Sequence, residues 1–199
     1  MRIITGSAKG IKLCTLEGDA TRPTSERAKE ALFSMIQFDI EGRRILDLFA
    51  GSGQLGLEAV SRGAAFCMFT DASPDAISIV RKNIEKTHFV DKCKTAIADY
   101  RNFLRKSEGR EGFDIVFLDP PYASDALTDA LFRIYKTKLM RHGCLLVCES
   151  ESGDMRIFEK EPMLAGMYRS VKKKNYGRVH IEILTPCEEY YNNDGTENE

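Results

Sequence analysis

The chain has 199 residues, 43% apolar and 30% charged, the balance of a globular protein with one sizeable core and no need of disulfide or metal staples. Its 29 Lys and Arg against 30 Asp and Glu give a net charge of −1, which at face value argues against a nucleic-acid partner. The average hides a division, because five acids and no base lie in residues 188–199, leaving residues 1–187 at +4.

Residues 3–5 and 11–16 read as a small hairpin turned through Ser7-Ala8-Lys9-Gly10. A helix is predicted over 26–38, where Ala28, Ala31, Leu32, Met35 and Ile36 form one apolar stripe. Thr24 or Ser25 caps it, and Pro23 bars an earlier start. Short apolar runs then alternate with helical periodicities, as in a parallel sheet wrapped by helices. Strands are predicted at 44–49, 66–70, 94–98, 113–118 and 144–149, and helices at 55–62, 74–86 and 127–139. Towards the end 155–159, 166–174 and 178–184 read as strands without helices between them, with Asn175-Tyr176-Gly177 turning the last pair. From Pro186 onward the chain is polar and acidic, and disorder is expected. No run approaches the ~20 apolar residues of a membrane helix, and MRIITGSAKG lacks a signal-peptide core. Cysteines 14, 67, 93, 144, 148 and 187 read as free thiols in a cytoplasmic protein, and three histidines leave no zinc site.

Two segments carry chemistry. The first is Gly51-x-Gly53-x-x-Gly56, placed between a strand and a helix, with Asp71 20 residues beyond Gly51. The spacing fits a dinucleotide turn with a ribose-binding acid. Asp47, four residues ahead, changes the ligand: a carboxylate at the strand end repels a pyrophosphate and attracts the α-ammonium of S-adenosylmethionine. Asp71 then takes the ribose hydroxyls. Asp99, after the third strand, is placed either to accept from the adenine amine or to cap a helix starting at Tyr100, and both can hold.

The second segment is Asp119-Pro120-Pro121-Tyr122, directly after the strand at 113–118. Two prolines carry no N–H and leave carbonyl acceptors on a rigid turn. If the Asp119 carboxylate and the Pro120 carbonyl each accept one N–H of a nucleobase amine, its lone pair is drawn out of the ring and freed to attack a methyl group. Tyr122 offers a face on which an extruded base stacks.

With these residues in view, the chain resembles the class I S-adenosylmethionine-dependent methyltransferases. More narrowly, it is similar to the bacterial 16S rRNA guanine-N2 methyltransferase family. The resemblance is carried by Arg22-Pro23-Thr24-Ser25-Glu26-Arg27 with its helix through Ala31-Leu32-Phe33, by Asp47 to Glu58, and by Asp119 to Tyr122. Arg2-Ile3-Ile4-x-Gly6 and Lys174-x-Tyr176-Gly177 match more weakly. It implies an α/β, Rossmann-like fold with a mostly parallel seven-stranded sheet and an antiparallel edge. Residues 1–40 would form an RNA-contacting hairpin and helix extension and 41–186 the methyltransferase domain, while 187–199, a disordered acidic tail, have no counterpart in the family. The implied cofactor set is Asp47, Phe49, Ala50, Gly51, Ser52, Gly53, Asp71, Ala72, Asp99 and Tyr100. The implied catalytic set is Asp119, Pro120, Pro121 and Tyr122. One departure is Asp71, where the family more often has glutamate.

The implied partner is 16S ribosomal RNA or the small ribosomal subunit particle, met by a monomer without metal or membrane. Residues 169–178 hold five bases and no acid, and the first 29 residues hold six bases against three acids. Arg2, Lys9, Arg22, Thr24, Arg27, Lys172, Lys173, Lys174 and Arg178 are therefore candidate RNA contacts, although a charge run is equally a solvated face. Arg22 and Arg27 either hold phosphate at the site's mouth or pair with Glu26 and Glu30. An adenine-N6 methyltransferase acting on DNA or RNA is the alternative reading, since Asp-Pro-Pro-Tyr serves that chemistry too.

Overall fold

A computed structural model describes residues 1–15, 26–121, 125–150, 157–177 and 179–192. Its centre is a seven-stranded sheet of β1 (Arg44–Asp47), β2 (Phe66–Asp71), β3 (Cys93–Ile97), β4 (Phe113–Leu118), β5 (Met140–Ser150), β6 (Tyr168–Tyr176) and β7 (Val179–Pro186). The order is β3-β2-β1-β4-β5-β7-β6, and β7 alone runs against its neighbours. The mostly parallel sheet with an antiparallel edge is thus as expected.

Helices α1 (Glu26–Met35), α2 (Gln54–Ser61) and α3 (Pro74–Thr87) pack with the N-terminal hairpin on one face, in a core containing Ile3, Phe33, Leu57 and Val80. Helices α4 (Tyr100–Ser107) and α5 (Ala126–Lys136) cover the other face, around Leu104, Leu131 and Tyr168. The chain reverses direction across the sheet between β1 and β4, so a crevice opens beyond their C-terminal ends.

The hairpin pairs antiparallel through the Arg2–Lys12 bridge, with the Ile3, Gly10 and Leu13 amides donating to the Ile11, Ile3 and Met1 carbonyls. What holds it is contact with α2. Glu58, wholly buried, accepts from the Ile4 amide at 2.8 Å, the Thr5 amide at 3.0 Å and Arg62 Nε at 2.9 Å. It also pairs with the equally buried Lys29 of α1 at 3.1 Å. Gly6 has φ +89°, and a Cβ there would lie 1.8 Å from the Ser61 carbonyl oxygen, so the close approach admits only glycine.

Three expectations need correction. The first helix ends at Met35 rather than 38, because Asp39 donates back to the Ile36 carbonyl at 2.9 Å and closes a turn. The strand expected at 155–159 is absent where it is described. Residues Ile157–Lys160 form one helical turn, α6, and Pro162–Gly166 a tighter 3-10 turn. The buried side chains there, Ile157 and Leu164, lack the alternation a strand requires. The tail, expected to be disordered from 187, instead folds through 192. Glu189–Asn192 is a further helical turn, α7, with Tyr190 only 2% exposed and its hydroxyl accepting from the Met140 amide at 2.9 Å. The acids around it masked two tyrosines whose ring area suffices to dock the segment.

Candidate functional site

A pocket of about 640 Å³ occupies the crevice. Asp47 closes β1 at its floor, 3% exposed, and accepts from the Gly56 amide at 3.0 Å. Burial pushes its carboxyl up to about 7; the Gly56 amide opposes this, while Asp119 and Asp71 push further the same way. Gly56 lets α2 lie against the sheet, since a Cβ would meet the Phe69 ring at 2.4 Å and Cys67 Sγ at 2.6 Å. Asp71 is clamped at both oxygens, accepting from the Gly51 amide at 2.9 Å and the Ser73 amide at 2.8 Å. A lone pair remains on each oxygen for a ligand.

Asp99 caps α4, accepting from the Arg101 amide at 3.0 Å, and also lines the pocket. Tyr100 packs its ring 5.2 Å from that of Phe49 and donates to Asp129 at 2.7 Å. Burial and that bond push its phenol up to about 12. Burial alone would raise Asp129, but hydrogen bonds from Arg133, Tyr100 and Arg101 prevail and hold it down at about 2. Asp129 thereby ties α5, at the pocket's rim, to α4.

Of the expected cofactor set, Asp47, Phe49, Ala50, Gly51, Ser52, Asp71, Ala72, Asp99 and Tyr100 line the pocket. Gly53 does not. It stands behind the wall at φ +79°, where an added Cβ would sit 3.3 Å from Phe69 and Val80, and it serves the turn. Asp119 and Pro121 line the pocket and Pro120 does not; Tyr122 lies outside the described residues. Two of the basic candidates meet the ends of α1. Arg2 pairs with Glu26 at its first residue at 2.9 Å, and Lys172 donates to the Met35 carbonyl at its last. Those ends stand ~15 Å apart at 1.5 Å per residue. Lys9 and Arg27 are exposed, Lys173 pairs with the buried Glu182 at 3.4 Å, and Lys174 lies over the Tyr176 ring. Arg22, Thr24 and Arg178 lie outside the described residues.

Sequence reasoning missed Met1, Thr15, Gln54, Arg101 and Asp125, which also line the pocket. Gln54 follows the glycine turn, and its buried Oε1 has no partner among the described residues. Thr15 is brought there by Asn83 of α3. The Asn83 side chain accepts from the Cys14 amide at 2.7 Å and donates to the Cys14 carbonyl at 3.0 Å and the Ser52 carbonyl at 2.9 Å. No local pattern announces a contact 69 residues apart. Among the described residues, no group of His, Cys, Asp or Glu could hold a metal ion, and no helix is long and apolar enough to cross a membrane.

Comparison with known proteins agrees with this architecture. The family described as Conserved hypothetical protein 95 matches residues 1–185. Ribosomal RNA small subunit methyltransferase D of Haemophilus influenzae is 33% identical over 156 residues, 76% of this chain and 79% of its own. The Bacillus subtilis protein YlbH, provisionally named an rRNA methyltransferase, is 36% identical over 185 residues, 92% of this chain and 97% of its own. Among solved structures, the Escherichia coli protein yhhF, provisionally titled a methyltransferase, superposes with a TM-score of 0.79 at 26% identity, covering 94% of this chain and 97% of that one.

Proposed function

The chain belongs to the Conserved hypothetical protein 95 family, alongside relatives named Ribosomal RNA small subunit methyltransferase D, and on that premise we propose that it methylates the exocyclic N2 amine of a guanine in 16S ribosomal RNA, with S-adenosylmethionine as donor. The observation that carries the reading is the pocket's charge. Five aspartates (47, 71, 99, 119 and 125) and one arginine, Arg101, line it among the described residues. A phosphate-bearing dinucleotide would meet repulsion there. A ligand with an ammonium and a sulfonium meets attraction, so the residues fit this cofactor.

When bound, S-adenosylmethionine supplies an electrophilic methyl group. Asp47 receives the ammonium, with the unpartnered Gln54 oxygen of the same pocket as a further acceptor; Asp71 receives the ribose hydroxyls and Asp99 the adenine amine, with Phe49 and Tyr100 in the same pocket wall. On the acceptor side, the Asp119 carboxylate and the Pro120 carbonyl take the two N–H bonds of the guanine amine and turn its lone pair towards the methyl carbon. Pro121 stiffens that turn and Tyr122 stacks on the extruded base. Arg2, Lys9, Arg22, Thr24, Arg27, Lys172, Lys173, Lys174 and Arg178 supply the phosphate contacts.

The test is transfer from labelled S-adenosylmethionine to unmodified small-subunit RNA and to assembled particles, followed by nucleoside analysis. N2-methylguanosine is expected; N6-methyladenosine would replace this reading with the adenine one. Asp119→Ala should lower kcat by roughly 10²–10³-fold while the cofactor Kd stays within about twofold. Full activity in that variant would remove the proposed acceptor geometry.

A further inference from the structure

Phe38 is 93% exposed, the most exposed large apolar side chain among the described residues. It is not a loose surface ring. Its turn is closed by the Asp39 amide on the Ile36 carbonyl, and Ile36 and Ile40, two residues to either side, are wholly buried. The backbone is thus pinned before and after the ring, and the ring is held outward.

The edge strand β6 lies beside this turn. Lys172 reaches the Met35 carbonyl at the end of α1, where a cation also meets the negative end of the helix dipole. Residues two apart on a strand share a face, so Lys172, Lys174 and Tyr176 stand together. Tyr176 packs on the core that contains Phe33, Ile36 and Ile40, which identifies that face as the α1 side. Lys174 lies 5.4 Å above the Tyr176 ring. Lys173 points the other way, to Glu182. Lys172 and Lys174 outweigh Asp39, the acid that follows Phe38.

An exposed ring bordered by cations is the arrangement by which single-stranded nucleic acid is held: a base on the ring, phosphates on the amines. An apolar protein partner would instead require a contiguous apolar patch of several side chains, whereas Phe38 is a single exposed ring. Strand register places this surface relative to the pocket. Lys173 pairs with Glu182, Glu182 with Cys148 and Cys148 with Leu118, so the end of β6 stands level with Asp119. Three strand spacings separate them, about 14 Å. The phosphates held by the β6 lysines therefore belong to nucleotides other than the methylated one.

We propose that Phe38 is a stacking platform for an unpaired nucleobase of the RNA substrate, with Lys172 and Lys174 holding the adjoining phosphates; this rests on the RNA-methyltransferase reading above. The chain contains no tryptophan, so Phe38→Trp introduces a single indole as reporter. Titrating that variant with transcribed small-subunit RNA should quench its emission as the complex forms. Phe38→Ala should weaken RNA binding about tenfold without altering its salt dependence, since no charge is removed. Lys172→Ala and Lys174→Ala should each lower the salt slope by about 1. RNA binding that leaves the indole emission unchanged, or Phe38→Ala binding as tightly as the parent, overturns the platform and leaves the methyltransferase reading standing. Failure of the unsubstituted chain to bind or methylate RNA removes both.

Discussion

Carboxylates are seldom buried without a cation beside them, because desolvation penalises the charged form. Asp47 has one amide and two neighbouring carboxylates, and titrates at about 7 rather than in the ordinary carboxylate range. The raised value fixes a sign. Unfolded Asp47 ionises well before the folded group, so its ionisation costs the ligand-free protein stability that declines as pH rises from about 4 to about 7 and then levels off. A cationic ligand selects the ionised form. Cofactor affinity should therefore rise with pH, approaching tenfold per unit below about 7 and flattening above it. Calorimetry between pH 5.5 and 8 checks this, and Asp47→Asn should bind weakly with the slope gone. Asp71 shows the opposite design: both its oxygens are tied to backbone amides, which sets its direction before any ligand arrives.

At the scale of elements, the N-terminal hairpin, α1 and α2 are joined through one acid, Glu58. Burial lowers the Lys29 amine below its ordinary value, and Glu58 partly restores it. Lys29→Met should cost on the order of 3 kcal/mol, since it leaves the wholly buried Glu58 with Arg62 as its one remaining cation among the described residues. For a chain of this size that is roughly 6–12 °C in Tm, read by calorimetry at pH 7. The elements themselves were largely legible. Phe113–Leu118 is the strand predicted to the residue, and Ser73 and Pro74 open α3 as their chemistry dictates. Asp47, Asp71 and Asp119 were legible as pocket residues because each stands at or just after the C-terminal end of a strand, and strand ends in this topology meet in one crevice. Glu58, Asn83 and Ser61 were not. Each reads as an ordinary polar residue on a helix, and their partners stand 53–69 residues away in sequence. Residues 155–159 misled for a different reason, as a short apolar run suits a strand and a helical turn equally well.

Over the whole molecule, the net charge of −1 resolves into separate fields: aspartates gathered in a pocket, lysines along an edge strand and acids in the last twelve residues. Those last residues begin as part of the fold. Tyr190 is bonded to the Met140 amide and packs 5.1 Å from the Tyr135 ring, beside Tyr168. A chain ended at Pro186 should lose this cover, with a Tm lower by several degrees and faster amide exchange at Met140 and Gly143, which the Tyr190 and Tyr191 hydroxyls protect. The N-terminal segment has a consequence of another kind. Through Asn83 it is pinned to the glycine turn, and Thr15 and Met1 complete the wall around the proposed cofactor. RNA on the extension, as proposed, would therefore share a partition with a ligand in the pocket. Linkage makes any effect across it reciprocal: whatever factor RNA on the extension applies to cofactor affinity, the cofactor applies equally to RNA. Cofactor Kd measured with and without RNA, and RNA Kd measured with and without cofactor, should therefore shift by one common factor.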